Sequence, residues 1–235
     1  MASYSSLNGP RITPASGRPA TQLVVLLHGY GADGNDLIGL APYWQRLLPD
    51  AAFVAPNGPE RVPGSPFGFQ WFSLAGYDPD SMRRDPAQAA ETYRKMRFGA
   101  EGVSTVLNAF LDAELAQHRL GSDRLALVGF SQGTMMALHV GLRRPRACAG
   151  ILGFSGALPS GDRLPDEIEA RPPVLLLHGD ADEVVPIEAM FGAANSLAAA
   201  GVAVQWHVCP GTGHGIDQTG LELGGRFLRE VLIGG

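Results

Sequence analysis

Gly129-Phe130-Ser131-Gln132-Gly133 sets a serine in a G-x-S-x-G pattern. Its surroundings make the pattern informative. An expected buried strand, 124–129, ends at the motif, and helical spacing begins inside it. A sharp strand-to-helix turn forces the serine backbone into a strained conformation, while the glycines leave room for neighbouring chain. The hydroxyl then stands at a sheet edge and a helix N-terminus, where free N–H groups favour developing negative charge. This is the setting of a nucleophile for acyl transfer. Gly153-Phe154-Ser155-Gly156 echoes the motif, but its second glycine comes one residue early and no helical pattern follows. Ser155 is therefore expected in a loop near the site.

A serine hydroxyl needs a base. Of the six histidines, His214 lies in Gly211-Thr212-Gly213-His214-Gly215, directly after the last apolar strand. Such a loop can present an imidazole. His207 lies within that strand, His118 and His139 lie in helical text, and His178 ends a strand ahead of the acid. An imidazole in turn needs an orienting carboxylate. His178-Gly179-Asp180-Ala181-Asp182-Glu183-Val184-Val185-Pro186 offers Asp180 and Asp182, both satisfying the chain order serine, acid, histidine. Spacing alone does not choose between them, although Asp180 beside Gly179 would suit a carboxylate that binds local N–H groups. Two N–H donors are needed for the oxyanion. One is the Gln132 amide. The other is expected from the loop after the first strand, His28-Gly29-Tyr30-Gly31, with the Tyr30 amide as candidate.

These residues require a scaffold that gathers strand ends. Short continuous apolar runs at 23–27, 51–55, 125–128, 150–153, 174–177 and 202–208 read as strands buried on both faces. Helical patterns alternate with them. One is expected over 36–48, with Leu37, Leu40, Trp44, Leu47 and Leu48 on one side. A second starts at the cap Asp85-Pro86 and keeps phase through Tyr93, Met96, Ala100, Val103, Leu107 and Phe110 to about His118. Others cover 132–143, 187–200 and 219–232. The alternation predicts an α/β fold, a mostly parallel sheet with helices on both faces and ligands beyond the carboxyl ends of the strands. Residues 57–85 depart from it. They are expected to be irregular, and hold Phe67, Phe69, Trp71, Phe72 and Tyr77, so they should either pin a loop or wall the substrate pocket.

Composition narrows the classes. The 235 residues are 45% apolar and 17% charged, enough for a sizeable core and far from disorder. A single domain over 1–235 is expected, with residues 1–20 as an irregular or edge-strand lead-in. The net charge is −5, and no basic run exceeds two residues, so nucleic acid is not an expected partner. Two cysteines, Cys148 and Cys209, cannot make a disulfide framework and are expected as buried thiols. No apolar run reaches the ~18 residues of a membrane span, and no apolar leader opens the chain. A soluble cytoplasmic protein without stable membrane insertion is expected.

With these motifs in place, the sequence resembles the α/β-hydrolase superfamily and, within it, the phospholipase/carboxylesterase family, which includes acyl-protein thioesterases. The resemblance rests on Leu27-His28-Gly29-Tyr30-Gly31-Ala32-Asp33, Gln70-Trp71-Phe72, Gly129-Phe130-Ser131-Gln132-Gly133, His178–Pro186 and Gly213-His214, in order over about residues 7–232. It implies that Asp182 is the acid, Ser131 the nucleophile and His214 the base, with the Tyr30 and Gln132 amides at the oxyanion. It also implies a small enzyme without a large lid, without metal or organic cofactor, that pairs as a homodimer in many members. The expected activity is that of a serine carboxylesterase on small-molecule esters of short to medium chain, through an acyl-enzyme. Trp71, Leu74 and Val185 are expected pocket walls. The alternative substrates are lysophospholipids or S-acylated proteins. A non-catalytic binding module is a remote alternative, and a dienelactone-hydrolase-like enzyme would want cysteine where Ser131 stands.

Overall fold

The computed structural model describes residues 7–159 and 161–234. The first six residues of the lead-in lie outside them. In chain order the elements are β1 (Arg11–Ile12), β2 (Gln22–Leu27), α1 (Gly34–Ile38), α2 (Ala41–Trp44), β3 (Ala51–Val54), β4 (Glu60–Arg61), β5 (Phe69–Gln70), α3 (Pro79–Arg84) and α4 (Pro86–His118). After a 3-10 turn at Ser122–Arg124 come β6 (Leu125–Phe130), α5 (Gln132–Gly141), β7 (Gly150–Phe154), α6 (Leu164–Glu167), β8 (Val174–Gly179), α7 (Glu188–Ala199), β9 (Val204–Cys209) and α8 (Gln218–Ile233).

Seven strands form one sheet in the order β1-β3-β2-β6-β7-β8-β9. All neighbours run parallel except β1, which pairs antiparallel with β3 at the edge. Side-chain alternation divides the core in two. Leu23, Val25, Leu27, Leu125, Leu127, Ile151 and Leu176 face a cluster closed by residues of α4, α5 and α7. Val24, Leu26, Ala126, Val128, Leu152, Leu175 and Leu177 face the other, closed by Leu37, Trp44, Phe227 and Leu228. A strand buried on both sides has no polar positions to alternate with, which is why these segments read as unbroken apolar runs. This is the expected α/β-hydrolase architecture.

Asp85 caps α4 by accepting from the Ala87 amide at 2.9 Å, with proline in the first turn. The helix runs 33 residues to His118 and ends where Arg119 turns left-handed at φ 57°. Gly99 in its middle seats Phe72, whose Cγ would stand 2.6 Å from a Cβ at that position.

Two expectations need correction. Residues 36–48 form no single helix. Pro42 lacks an N–H and clashes with a preceding turn, so the chain makes two short helices, α1 and α2. Leu37, Trp44 and Leu48 are buried, but Leu40 is half-buried and Leu47 exposed. Residues 57–85 are not irregular throughout. They contain the antiparallel β4–β5 ribbon and α3. Their aromatics divide: Trp71 and Phe72 are buried, whereas Phe67 is 79% exposed.

Candidate active site

The site lies at the carboxyl ends of β2, β6, β8 and β9. Strand β6 ends at Phe130, and Ser131 turns the chain into α5 with φ 54° and ψ −116°. This left-handed conformation strains any residue with a Cβ. Crowding enforces the motif's glycines: a Cβ on Gly129 would strike the Thr134 amide, and one on Gly133 would strike the Leu27 carbonyl. Ser155, in the echo motif, also has positive φ (47°), is buried, and stands with its Oγ 3.5 Å from the Gly215 carbonyl.

Ser131 Oγ lies 3.0 Å from His214 Nε2, and His214 Nδ1 lies 2.7 Å from Asp182 Oδ2. The structure thus joins the three expected residues into one hydrogen-bonded chain. Asp182 is buried; its Oδ1 accepts from the Val184 and Val185 amides at 2.9 and 2.8 Å. His178 Nε2 stands 3.3 Å from its Oδ2 and 2.8 Å from the Val185 carbonyl. Burial by itself would raise the Asp182 pKa. The hydrogen bonds from His178, His214 and Val185, together with His214 charge, outweigh it and hold the carboxyl well below the ordinary carboxylate range. The carboxylate therefore fixes Nδ1 of His214 as a donor, and the Nε2 lone pair faces the serine. The Phe130 ring packs against the His214 ring at 4.9 Å between centroids.

Asp180 does something else. Its Oδ1 accepts from the Gly211 amide at 2.6 Å. Beside it, the Ala181 amide donates to the Thr212 carbonyl at 3.0 Å. These bonds sew the acid-bearing loop to the loop that carries His214.

The His28–Gly31 turn lies against the serine, since a Cβ on Gly29 would stand 3.4 Å from Ser131 Cβ. Tyr30 is 42% exposed. Among the described residues no hydrogen bond occupies the Tyr30 or the Gln132 amide. The Gly31 amide instead donates to Phe69 at 2.9 Å, and the Phe69 amide to Ala32 at 2.8 Å, tying this turn to β5.

Two of the three expected pocket walls are corrected. Trp71 is wholly buried and cannot line an open pocket; its indole Nε1 donates to the His28 carbonyl at 2.9 Å. Val185 is likewise buried, and its backbone braces Asp182. Leu74 borders a pit of about 20 Å³ with Tyr77, Thr92 and Met96. A cavity of about 1260 Å³ opens between the first half of α4 and α7, with Leu158, Pro159, Pro186, Ala189 and Ala193 in its apolar lining and Arg94, Arg97 and Arg163 among its polar residues. His178 and the Gln132 side chain were not expected to matter. The signal for His178 was its place at the end of a strand, four residues before Asp182.

Cys148 and Cys209 are buried free thiols, as expected, each pushed up to about 12 by burial. Among the described residues no group of three or more His, Cys, Asp or Glu is placed to hold a metal ion, and no helix is long and apolar enough to cross a membrane.

The phospholipase/carboxylesterase profile matches residues 8–232. The chain belongs to this family. Esterase YpfH of Escherichia coli strain K12 is 28% identical over 218 residues, covering 92% of this chain and 85% of that protein. Acyl-protein thioesterase 1 of Schizosaccharomyces pombe is 30% identical over 188 residues, 77% of each chain. Among solved structures, esterase PE8 superposes with a TM-score of 0.88 at 44% identity, covering 97% of this chain and all (100%) of that one. SOBER1 of Arabidopsis thaliana, at 21% identity and TM-score 0.71 over 90% of this chain and 99% of its own, shares the fold.

Proposed function

We propose that this family member is a serine carboxylesterase acting on small-molecule esters of short to medium chain. The observation that carries the reading is the continuous line from Asp182 through His214 to Ser131, ending on a strained serine. Ser131 Oγ attacks the ester carbonyl while His214 Nε2 takes its proton. The carbonyl electrons move onto oxygen, and the Tyr30 and Gln132 amides receive the charge. As the tetrahedral adduct collapses, His214 returns the proton to the departing alcohol. A water, deprotonated by His214, then attacks the acyl-enzyme and releases the acid along the same path. Asp182 stays ionised throughout, holding the imidazole's tautomer and stabilising its cation. The nucleophile and every proton acceptor come from this chain, so no metal or organic cofactor is called upon. The polypeptide is read as a soluble, cytoplasmic, single-domain enzyme with no nucleic-acid partner, and homodimer pairing follows from the family resemblance.

A second reading keeps the chemistry and lengthens the acyl group, to lysophospholipids or S-acylated proteins. The large cavity favours it, because Leu158 and Pro186 in its lining follow the Ser155 loop and the Asp182–Val185 loop in the chain. One measurement decides. kcat/KM is determined for matched oxygen esters and thioesters with acyl chains of about two to sixteen carbons. A peak at short oxygen esters supports the carboxylesterase. Sustained rates on long thioesters transfer the assignment to the second reading, and no turnover of any member removes both.

A further inference from the structure

The two amides proposed to receive the oxyanion belong to different elements. The Tyr30 amide follows β2, and the Gln132 amide opens α5. Catalysis depends on their spacing, and the β2–β6 ladder, which pairs only as far as Leu27 and Gly129, does not itself hold the two turns beyond it. A buried relay does. The Gln132 side chain, with no exposure, accepts from the Trp71 amide through Oε1 at 2.9 Å and donates through Nε2 to the Phe72 carbonyl at 2.7 Å. It pairs with segment 71–72 as a neighbouring strand would. The Trp71 indole then donates to the carbonyl of His28, two residues before Tyr30. His28 is equally buried and completes the frame. Its Nε2 accepts from the Gly58 amide at 2.8 Å, and its Nδ1 donates to the Gly29 carbonyl at 2.7 Å. The Trp71 and His28 rings pack at 5.3 Å between centroids.

We infer that the Gln132 side chain and Trp71 are positioning residues that set the distance between the two oxyanion donors. Neither side chain reaches substrate. They act by holding α5's first turn, segment 71–72 and the His28–Tyr30 turn as one rigid body, so both amides point at one place. Apolar packing alone would tolerate a slip at this junction. A bidentate side-chain pair plus an indole bond does not, because any slip leaves buried polar groups unpaired.

The inference rests on the proposed oxyanion assignment, and its test separates the two. Wild-type protein is first treated with a fluorophosphonate; if Ser131 is not modified, the esterase reading fails before any variant is made. Gln132→Met then removes both side-chain bonds at constant length, and Trp71→Phe removes the indole donor while keeping a ring. For each, kcat, KM and the Ki of a trifluoromethyl ketone analogue of the best ester are measured beside the thermal midpoint. The ketone binds as a tetrahedral hemiketal whose oxygen needs the same two amides. A displacement of under an ångström predicts kcat lower by about 10- to 100-fold, KM within about threefold, and a ketone Ki raised by the same factor as kcat falls. A merely structural role lowers the midpoint and leaves Ki and kcat alone. Should Gln132→Met not fold, Gln132→Glu, which still accepts from Trp71 but cannot donate to Phe72 as a carboxylate, carries the same readouts beside Trp71→Phe. A folded variant with wild-type kcat and Ki, or a kcat loss without a matching Ki change, overturns the inference.

Discussion

Replacing Asp182 by asparagine tests the site with a single proton's placement. Asp182 Oδ1 takes two backbone N–H groups, from Val184 and Val185. An asparagine must therefore point its carbonyl oxygen there, since the reverse orientation sets its NH2 against two donors. Its nitrogen then occupies the Oδ2 position, 2.7 Å from His214 Nδ1. A donor at that point requires an unprotonated Nδ1, so the imidazole proton moves to Nε2 and faces Ser131 Oγ. The base can no longer accept. The corresponding loss in a serine-protease triad is about 10⁴ in kcat, which is about 5.4 kcal/mol of barrier. We expect the same order here, with little change in KM. Asp180→Asn, which weakens only the tether to Gly211, should lose less than about tenfold, the effect of one exposed hydrogen bond. The assay is hydrolysis of p-nitrophenyl butyrate by both variants, with near-ultraviolet circular dichroism to confirm folding. An Asp182→Asn protein retaining more than about a tenth of wild-type kcat would refute the tautomer argument, and larger damage from Asp180→Asn would move the acid to that residue.

Ser131→Ala should abolish turnover and fluorophosphonate labelling. Ser131→Gly should in addition raise the thermal midpoint, because relief of φ 54° is worth about 1–3 kcal/mol; equal midpoints for the two variants would contradict the strain. Gly133→Ala drives a Cβ into the Leu27 carbonyl and should yield little folded protein, read by soluble expression and a thermal melt. Acid should weaken the fold through His139, whose pKa falls to about 3 through burial and the nearby Arg143 and Arg97 charges. The folded state keeps this imidazole neutral, while the unfolded chain binds a proton below about 6.5. Its contribution is full above pH 6.5 and is lost as pH falls toward 3, by at most about 1.4 kcal/mol per pH unit. Urea melts between pH 7.5 and 5 measure this slope, which His139→Gln should flatten.

The inner strands were legible because they are covered on both sides, and Val24 and Val25 can face opposite clusters only if both positions are apolar; β9, also expected to be buried on both faces, is instead an edge strand with Gln205 and Trp206 exposed. The start of α4 was legible from Asp85-Pro86, where a cap and a fixed φ coincide. That Ser131 and His214 would meet was readable from glycine-flanked turns at strand ends. The choice between Asp180 and Asp182 was not, since both follow β8 and only the path of the loop aims one at His214 and the other at Gly211. Trp71 was misread as a wall because an aromatic ring in a glycine-rich segment has the same sequence signature whether it faces solvent or core. Residues 36–48 were misread because apolar spacing outweighed Pro42, whose missing N–H divides the segment.

Ser131 follows β6 in the middle of the sheet, while Asp182 and His214 lie on the loops after β8 and β9 at its margin, stitched to each other and flanked by a last strand whose Gln205 and Trp206 are exposed. Marginal strands open to solvent at lower free energy than central ones. Hydrogen exchange at β9 and its following loop should thus outpace exchange at β6, and fluctuations there would uncouple the proton relay while the serine stays in place. Inactivation on warming then begins as a reversible fraying of one border, with most of the core still closed.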